Sequence, residues 1–213
     1  MRRWVGLMLL FIGIAIVVYN FQEWNTGRTA AQDITEKEVQ DFKEIAQSIE
    51  KEMIFTPPPV ESVPSPLLTA DVSHETGGEI ATLLIPKIEQ KYSVYWGTDP
   101  SVLNQGVGVF VSDLTTVPGG YGHTVLSGHR DTVFTRLGEL EKADLLHVQY
   151  ETKTYVYEVM DSWITHEDDR TVIVEKDESI LTLTTCYPFD FIGYASDRYI
   201  VQARLVGEHD IAD

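Results

Sequence analysis

From residue 80 onward the chain is written in short apolar or alternating runs. They read "IATLLIP", "HTVLSG", "LLHVQYE", "TYVYEV", "TVIV", "LTLTTC" and "RYIVQARL". A period of two with one apolar face predicts strands half-buried in a sheet. Most of the runs are separated by turn formers, such as Pro118-Gly119-Gly120 and Glu167-Asp168-Asp169. Many short strands at modest spacing predict a sandwich or a barrel. The interior helix candidate is brief, from about Thr135 to Lys142, and there is no internal repeat.

Upstream the pattern changes. Residues from Trp4 to Tyr19 are apolar and follow Arg2 and Arg3. This run falls a little short of the ~20 residues that span a bilayer. Trp4, Tyr19 and Trp24, seated in the interfaces, make up the difference. The competing reading is a cleaved signal peptide, but the nearest small-residue cluster, Thr29-Ala30-Ala31, lies too far beyond the run. The expectation is an uncleaved anchor with its N-terminus in the cytoplasm and the rest exported. Thr35 and Glu38 then have capping-box spacing, and Val39, Phe42, Ile45, Ile49 and Met53 recur at helical intervals, predicting a helix over 35–53. "TPPPVESVPSP", 56–66, predicts an extended spacer. The expected layout is a cytoplasmic tip and anchor over 1–24, a stalk helix and Pro-rich linker over 25–79, and a catalytic β domain over 80–208.

Composition narrows the options. A formal net charge of −17, from 33 acidic against 16 basic side chains, argues against nucleic-acid binding. The single cysteine, Cys186, cannot form an internal disulfide. It sits at the end of "LTLTTC", just before Tyr187 and Pro188, where proline must stop the ladder. Two other stretches, "VLSGHRDTVF" and "SDRYIVQARL", place His129 and Arg198 at strand edges. A cysteine nucleophile needs its thiolate, which a nearby histidine supplies by taking the proton. Acyl transfer also needs a donor for the developing oxyanion, which a fixed guanidinium or backbone N–H groups can provide. Taken singly, each residue has a plainer reading. Cys186 fits inert packing, His129 a turn beside Gly128, and Arg198 a surface pair with Asp197 or another acid.

Together the three segments resemble the sortases, cell-wall transpeptidases of Gram-positive bacteria. "TLTTC" with "YPF" is similar to their cysteine signature, "SGHRDTVF" to their histidine segment and "DRYIV" to their arginine strand. The order His, Cys, Arg also fits, and the similarity runs from about "LLIPKI" at 83 to "VQARL" at 205. "HRDTVF" with "TCYPF" most resembles the class D subgroup. The resemblance implies an all-β fold with short helices, a closed eight-stranded barrel preceded by a transmembrane helix and stalk. It implies that Cys186 attacks the threonine carbonyl of a Leu-Pro-x-Thr-Gly-like signal and forms a thioacyl enzyme; class D favours alanine in the fifth position. His129 is then the acid and base, Arg198 holds the substrate and oxyanion, and Thr185 touches substrate or shapes the oxyanion site. The implied partners are secreted surface proteins bearing the signal, a lipid-linked peptidoglycan-precursor amine and the cytoplasmic membrane. The implied location is the outer face of that membrane. Some sortases respond to calcium, but no ligand loop is evident, so no cofactor is expected. Ala143 stands where relatives commonly have glycine, and Val109 where many class D members have histidine, bearing on a turn and on a loop near the site. Asp131 is expected to pair with Arg130 more than to orient His129.

Rival readings remain at this point. "HRD" also occurs in the kinase catalytic loop, but that loop needs asparagine at position 136, which is Arg136. A papain-like protease has its cysteine before its histidine. A zinc hydrolase would use His123, His129, Asp131 and Cys186, which include the ligand types zinc prefers. A non-catalytic, membrane-tethered β module that binds the cell wall would not need the thiol.

Overall fold

The computed structural model describes residues 2–35, 37–40, 66–191 and 193–211. The N-terminal apolar run lies in one helix, α1 (Arg2–Thr29). Within it, Trp4–Gln22 is long and apolar enough to cross a membrane. Its 19 residues rise about 28 Å at 1.5 Å each, close to the hydrocarbon thickness of a bilayer.

Among the described residues nine strands follow: β1 (Ala31–Asp33), β2 (Glu79–Ile85), β3 (Gln90–Trp96), β4 (Val107–Val109), β5 (His123–Ser127), β6 (Leu145–Tyr150), β7 (Lys153–His166), β8 (Ile180–Tyr187) and β9 (Asp197–Asp210). The order is β1-β3-β2-β6-β7-β9-β8-β5-β4, and a parallel β3–β4 pairing closes β2 to β9 into an eight-stranded barrel. Closure leaves no long edge open to other chains. Two register shifts in the long β7–β9 ladder bend it around the barrel. The core is filled from alternate positions, among them Leu83, Ile85, Val94, Leu146, Val148, Leu181, Leu183, Val201 and Ala203.

Several expectations change. "TVIV" at 171–174 is not a strand; Val172 is buried and packs over a groove instead. The helix expected at 135–142 is a single 3₁₀ turn, Leu137–Glu139. Val109 is fully buried in the barrel core on β4, so it is not in a loop at the site. The capping box forms: Thr35 N donates to Glu38 Oε2 at 2.8 Å, and Glu38 N to Thr35 Oγ1 at 3.4 Å. Residues 37–40 are helical; the remainder of the expected helix and the proline-rich stretch up to 65 lie outside the described residues. β1 pairs with β3 ahead of both, Ile34 packs on Leu84, and Lys91 forms an ion pair with Glu38 at 3.0 Å. The chain is thus fastened to the barrel before the proline-rich stretch begins, and is fastened again at Leu68, which bridges to Thr116. Residues on both sides of the proline-rich stretch therefore lie against the barrel.

Two predictions arise here. Ala143 has φ of 73°, a left-handed conformation that costs a side-chain-bearing residue roughly 1 kcal/mol. Ala143→Gly should therefore raise stability by about 0.5 kcal/mol in denaturant melts, once the extra unfolded-state entropy of glycine is subtracted. No gain would mean that the turn relaxes in solution. His147 on β6 is almost fully buried, and burial pushes its pKa down to about 3 from the ordinary 6.5. The fold therefore favours neutral His147. That stabilisation is complete above the unfolded pKa near 6.5 and is lost as pH falls toward 3. Between pH 7 and pH 4 it should amount to about 3 kcal/mol. His147→Leu should flatten that part of the stability profile, and an unchanged slope would remove His147 as its source.

Candidate active site

Parallel pairing of β5 with β8 brings two of the predicted residues together. The register runs from His123↔Ile180 to Ser127↔Thr184, a constant offset of 57 positions (180 − 123 = 184 − 127). Gly128 N extends the ladder by donating to Thr184 O at 3.2 Å. His129 and Cys186 are separated by the same 57 (186 − 129), so His129 leaves β5 level with Cys186. Because the strands are parallel, both chains emerge at one end of the barrel. Gly128 is required at this exit, since a Cβ there would stand 2.7 Å from Val133 and 2.8 Å from Phe134.

On its other side β8 pairs antiparallel with β9, and Cys186 is directly opposite Arg198. Directly opposed residues of an antiparallel pair project to the same face, with Cα atoms about 5 Å apart. The thiol is half-buried and unbonded to another sulfur. Cys186 and His129 line one cavity of about 310 Å³, with Arg130, Asp131, Phe189, Asp190, Phe191 and Gly193. Arg198 lines a second, smaller groove with Thr182, Thr184, Ile200, Val172, Ile173, Glu167 and Asp169. The Cys186–Arg198 rung sets a wall residue of one hollow beside a wall residue of the other.

The guanidinium of Arg198 is held by three acceptors. Its Nη2 donates to Glu167 Oε2 at 2.8 Å, and its Nη1 to the carbonyls of Ala195 and Asp197 at 2.9 and 3.0 Å. The Tyr194 hydroxyl donates to the other oxygen of Glu167. The pairing with an acid anticipated for Arg198 is therefore present, with Glu167 rather than the Asp197 side chain, and it fixes the fork beside the thiol's strand. Asp169, nearby, accepts from the hydroxyls of Thr165 and Thr171, which hold its carboxyl down to about 2. Glu167 carried no recognisable signal in the sequence beyond an acidic turn, because its partner is 31 residues away.

Thr185 has the opposite parity from Cys186. It is buried, and its Oγ1 donates to Gly128 O at 2.7 Å, tying β8 to the exit that carries His129. It lines neither hollow, so its hydroxyl braces the site from within. Asp131 is exposed on the cavity rim and forms no pair with Arg130 among the described residues; Arg130 turns inward instead, onto Gly193 O and the Phe191 ring.

His123 lies at the far end of β5, six positions from His129, about 20 Å along a strand. Both its ring nitrogens are engaged, Nδ1 with Val174 O at 2.8 Å and Nε2 with Thr182 Oγ1 at 2.7 Å, and burial pushes its pKa below the usual imidazole range. His123, His129 and Cys186 therefore cannot converge on one zinc ion. Among the described residues no group of three or more His, Cys, Asp or Glu side chains is arranged to hold a metal.

A thiol, an imidazole level with it and a guanidinium opposite it form a set suited to acyl transfer. Known proteins agree with that reading. Residues 83–206 match the family model described as the sortase domain. The chain is 42% identical to Sortase D of Bacillus subtilis over 140 residues, which make up 64% of this chain and 69% of that protein. It is similar to the catalytic domain of B. anthracis SrtD, with 60% identity, a TM-score of 0.57, and coverage of 65% of this chain and 94% of that one. A Clostridium perfringens Sortase D5 transpeptidase matches 81% of this chain and 98% of its own, at 26% identity and a TM-score of 0.57. The chain belongs to the sortase family of cysteine transpeptidases, on its class D branch.

Proposed function

We propose that this chain is a membrane-anchored transpeptidase that cleaves a Leu-Pro-x-Thr-Gly-like sorting signal after threonine and transfers the protein to an amine of a peptidoglycan precursor. The class D likeness favours alanine at the fifth position of the signal. The observation that carries the reading is the Cys186↔Arg198 rung with His129 in the same cavity as Cys186. The peptide lies in the groove between Arg198 and Val172 and brings its scissile carbonyl to the thiol at the rung. Cys186 attacks, the carbonyl oxygen is stabilised by Arg198, and His129 gives a proton to the leaving amine. The product is a thioacyl enzyme. An incoming amine then attacks the thioacyl carbon and passes its proton to His129. Thr185 acts indirectly, by bracing the Gly128–His129 exit. In this reading α1 spans the cytoplasmic membrane with its N-terminus inside, β1 ties it to the sheet, and the barrel works on the outer face.

Intact-mass analysis of the protein mixed with a small library of sorting peptides tests this. The acyl fragment ending in threonine should appear on Cys186, with the fifth residue lost in the leaving peptide. A folded protein whose thiol stays unmodified throughout the library sinks the proposal.

A further inference from the structure

The cavity that holds Cys186 and His129 also contains a cation that the cleavage step does not use. Arg130 lines this cavity but is only 7% exposed. Its Nη2 donates to Gly193 O at 2.6 Å, and the Phe191 ring lies over the guanidinium at 5.6 Å. Its Nη1 is enclosed and has no acceptor among the described residues. Among the described residues the arginines that form ion pairs are Arg136, Arg198 and Arg204, and the charge of Arg130 has no carboxylate partner among them. Burying a charged donor without an acceptor is costly, and such a group is best satisfied by an anion. A guanidinium takes a carboxylate through two parallel N–H···O bonds. Phe191, which covers it, is half exposed on the β8–β9 connection, so the ring can turn aside without disturbing the core. Asp131 and Asp190, both exposed, line the same cavity and attract an ammonium group.

We infer that this cavity is the acceptor subsite, and that it takes a primary amine carrying a nearby carboxylate, the carboxylate on Arg130. The inference rests on the transpeptidase reading and adds the chemical class of its second substrate. In the transfer step the amine nitrogen bonds to the thioacyl carbon, the C–S bond breaks and Sγ leaves as thiolate. The ammonium first gives one proton to solvent so that the neutral amine attacks, and the second proton, lost from nitrogen as the amide forms, goes to His129. Arg130 holds the carboxylate while Asp131 and Asp190 draw in the amine end.

The test uses the full chain in detergent micelles, acylated with a sorting peptide and offered β-alanine or propylamine. These match in length and differ little in basicity. The thioacyl enzyme should partition to transfer over hydrolysis about tenfold more with β-alanine than with propylamine. Arg130→Gln should bring the two amines to within about twofold through loss of β-alanine transfer, while Arg130→Lys keeps part of the preference. Equal transfer to both amines by the wild-type chain overturns the inference, and that measurement needs no variant to fold. A variant that loses both amines in the same proportion overturns it too. A chain that forms no thioacyl enzyme fails the transpeptidase reading and takes the subsite with it. One that forms the thioacyl enzyme and shows no preference fails the subsite alone.

Discussion

Cys186→Ala should give a protein that melts within about 2 °C of the parent yet cleaves sorting peptide at least ~10,000-fold more slowly. The small effect on stability follows from position. Cys186 is half-buried at the open end of β8, so removing its sulfur creates no sealed cavity. The rungs on either side, Thr185↔Tyr199 and Tyr187↔Asp197, are made by the backbone and remain. The large effect on rate follows from chemistry. No other thiol exists in the chain, and a hydroxyl or water cannot form the thioacyl intermediate. Appreciable cleavage by this variant, measured as release of the C-terminal fragment, would end the assignment of Cys186 as nucleophile.

Arg198→Lys should lower kcat/KM for the same peptide by roughly 100- to 1,000-fold, the loss typical when one preorganised oxyanion donor is removed. The fork is held by Glu167 on one nitrogen and by two backbone carbonyls on another. That leaves its planar edge in a fixed relation to the rung it shares with Cys186. An ammonium is a point donor on a flexible stem, and beside Glu167 it would settle on the carboxylate without presenting a second N–H to the substrate. The acylation rate on mixing with peptide gives the cleanest reading, because it precedes any acceptor. A rate near that of the parent would remove Arg198 from oxyanion stabilisation.

The barrel was legible where one face of a strand is buried and the other is not. Leu181 and Leu183 fill the core while Thr182 and Thr184 face the groove, as their alternation implies. The same parity places Thr185 inward with Leu183, which counts against direct contact with substrate. "TVIV" misled because its apolar residues cover a hollow on the outside of the barrel, where burial needs no ladder. β3 and β4 were not singled out: β4 is three residues long, and its parallel pairing with β3 is a long-range fact. His129, Cys186 and Arg198 could be proposed from the sequence because each sits in a distinctive local segment. Glu167 and Arg130 could not, since what marks them is a partner gained or an acceptor missing in three dimensions. The expected Asp131–Arg130 pair failed for the same reason: adjacency in sequence did not outweigh the pull of Gly193 and Phe191 from another loop.

α1 ends at Thr29 and β1 begins at Ala31, so a single residue joins the rod to the sheet. From Gln22, where the apolar stretch stops, nine positions lead to Ala31, about 13 Å at helical rise. With α1 seated in a bilayer, the barrel stands on a short stiff post instead of drifting on a leash. The height of the thiol above the lipid is then a fixed dimension of the enzyme. Encounters become a search within a thin layer, which favours partners that are themselves embedded in the same sheet of lipid over anything arriving from bulk solution.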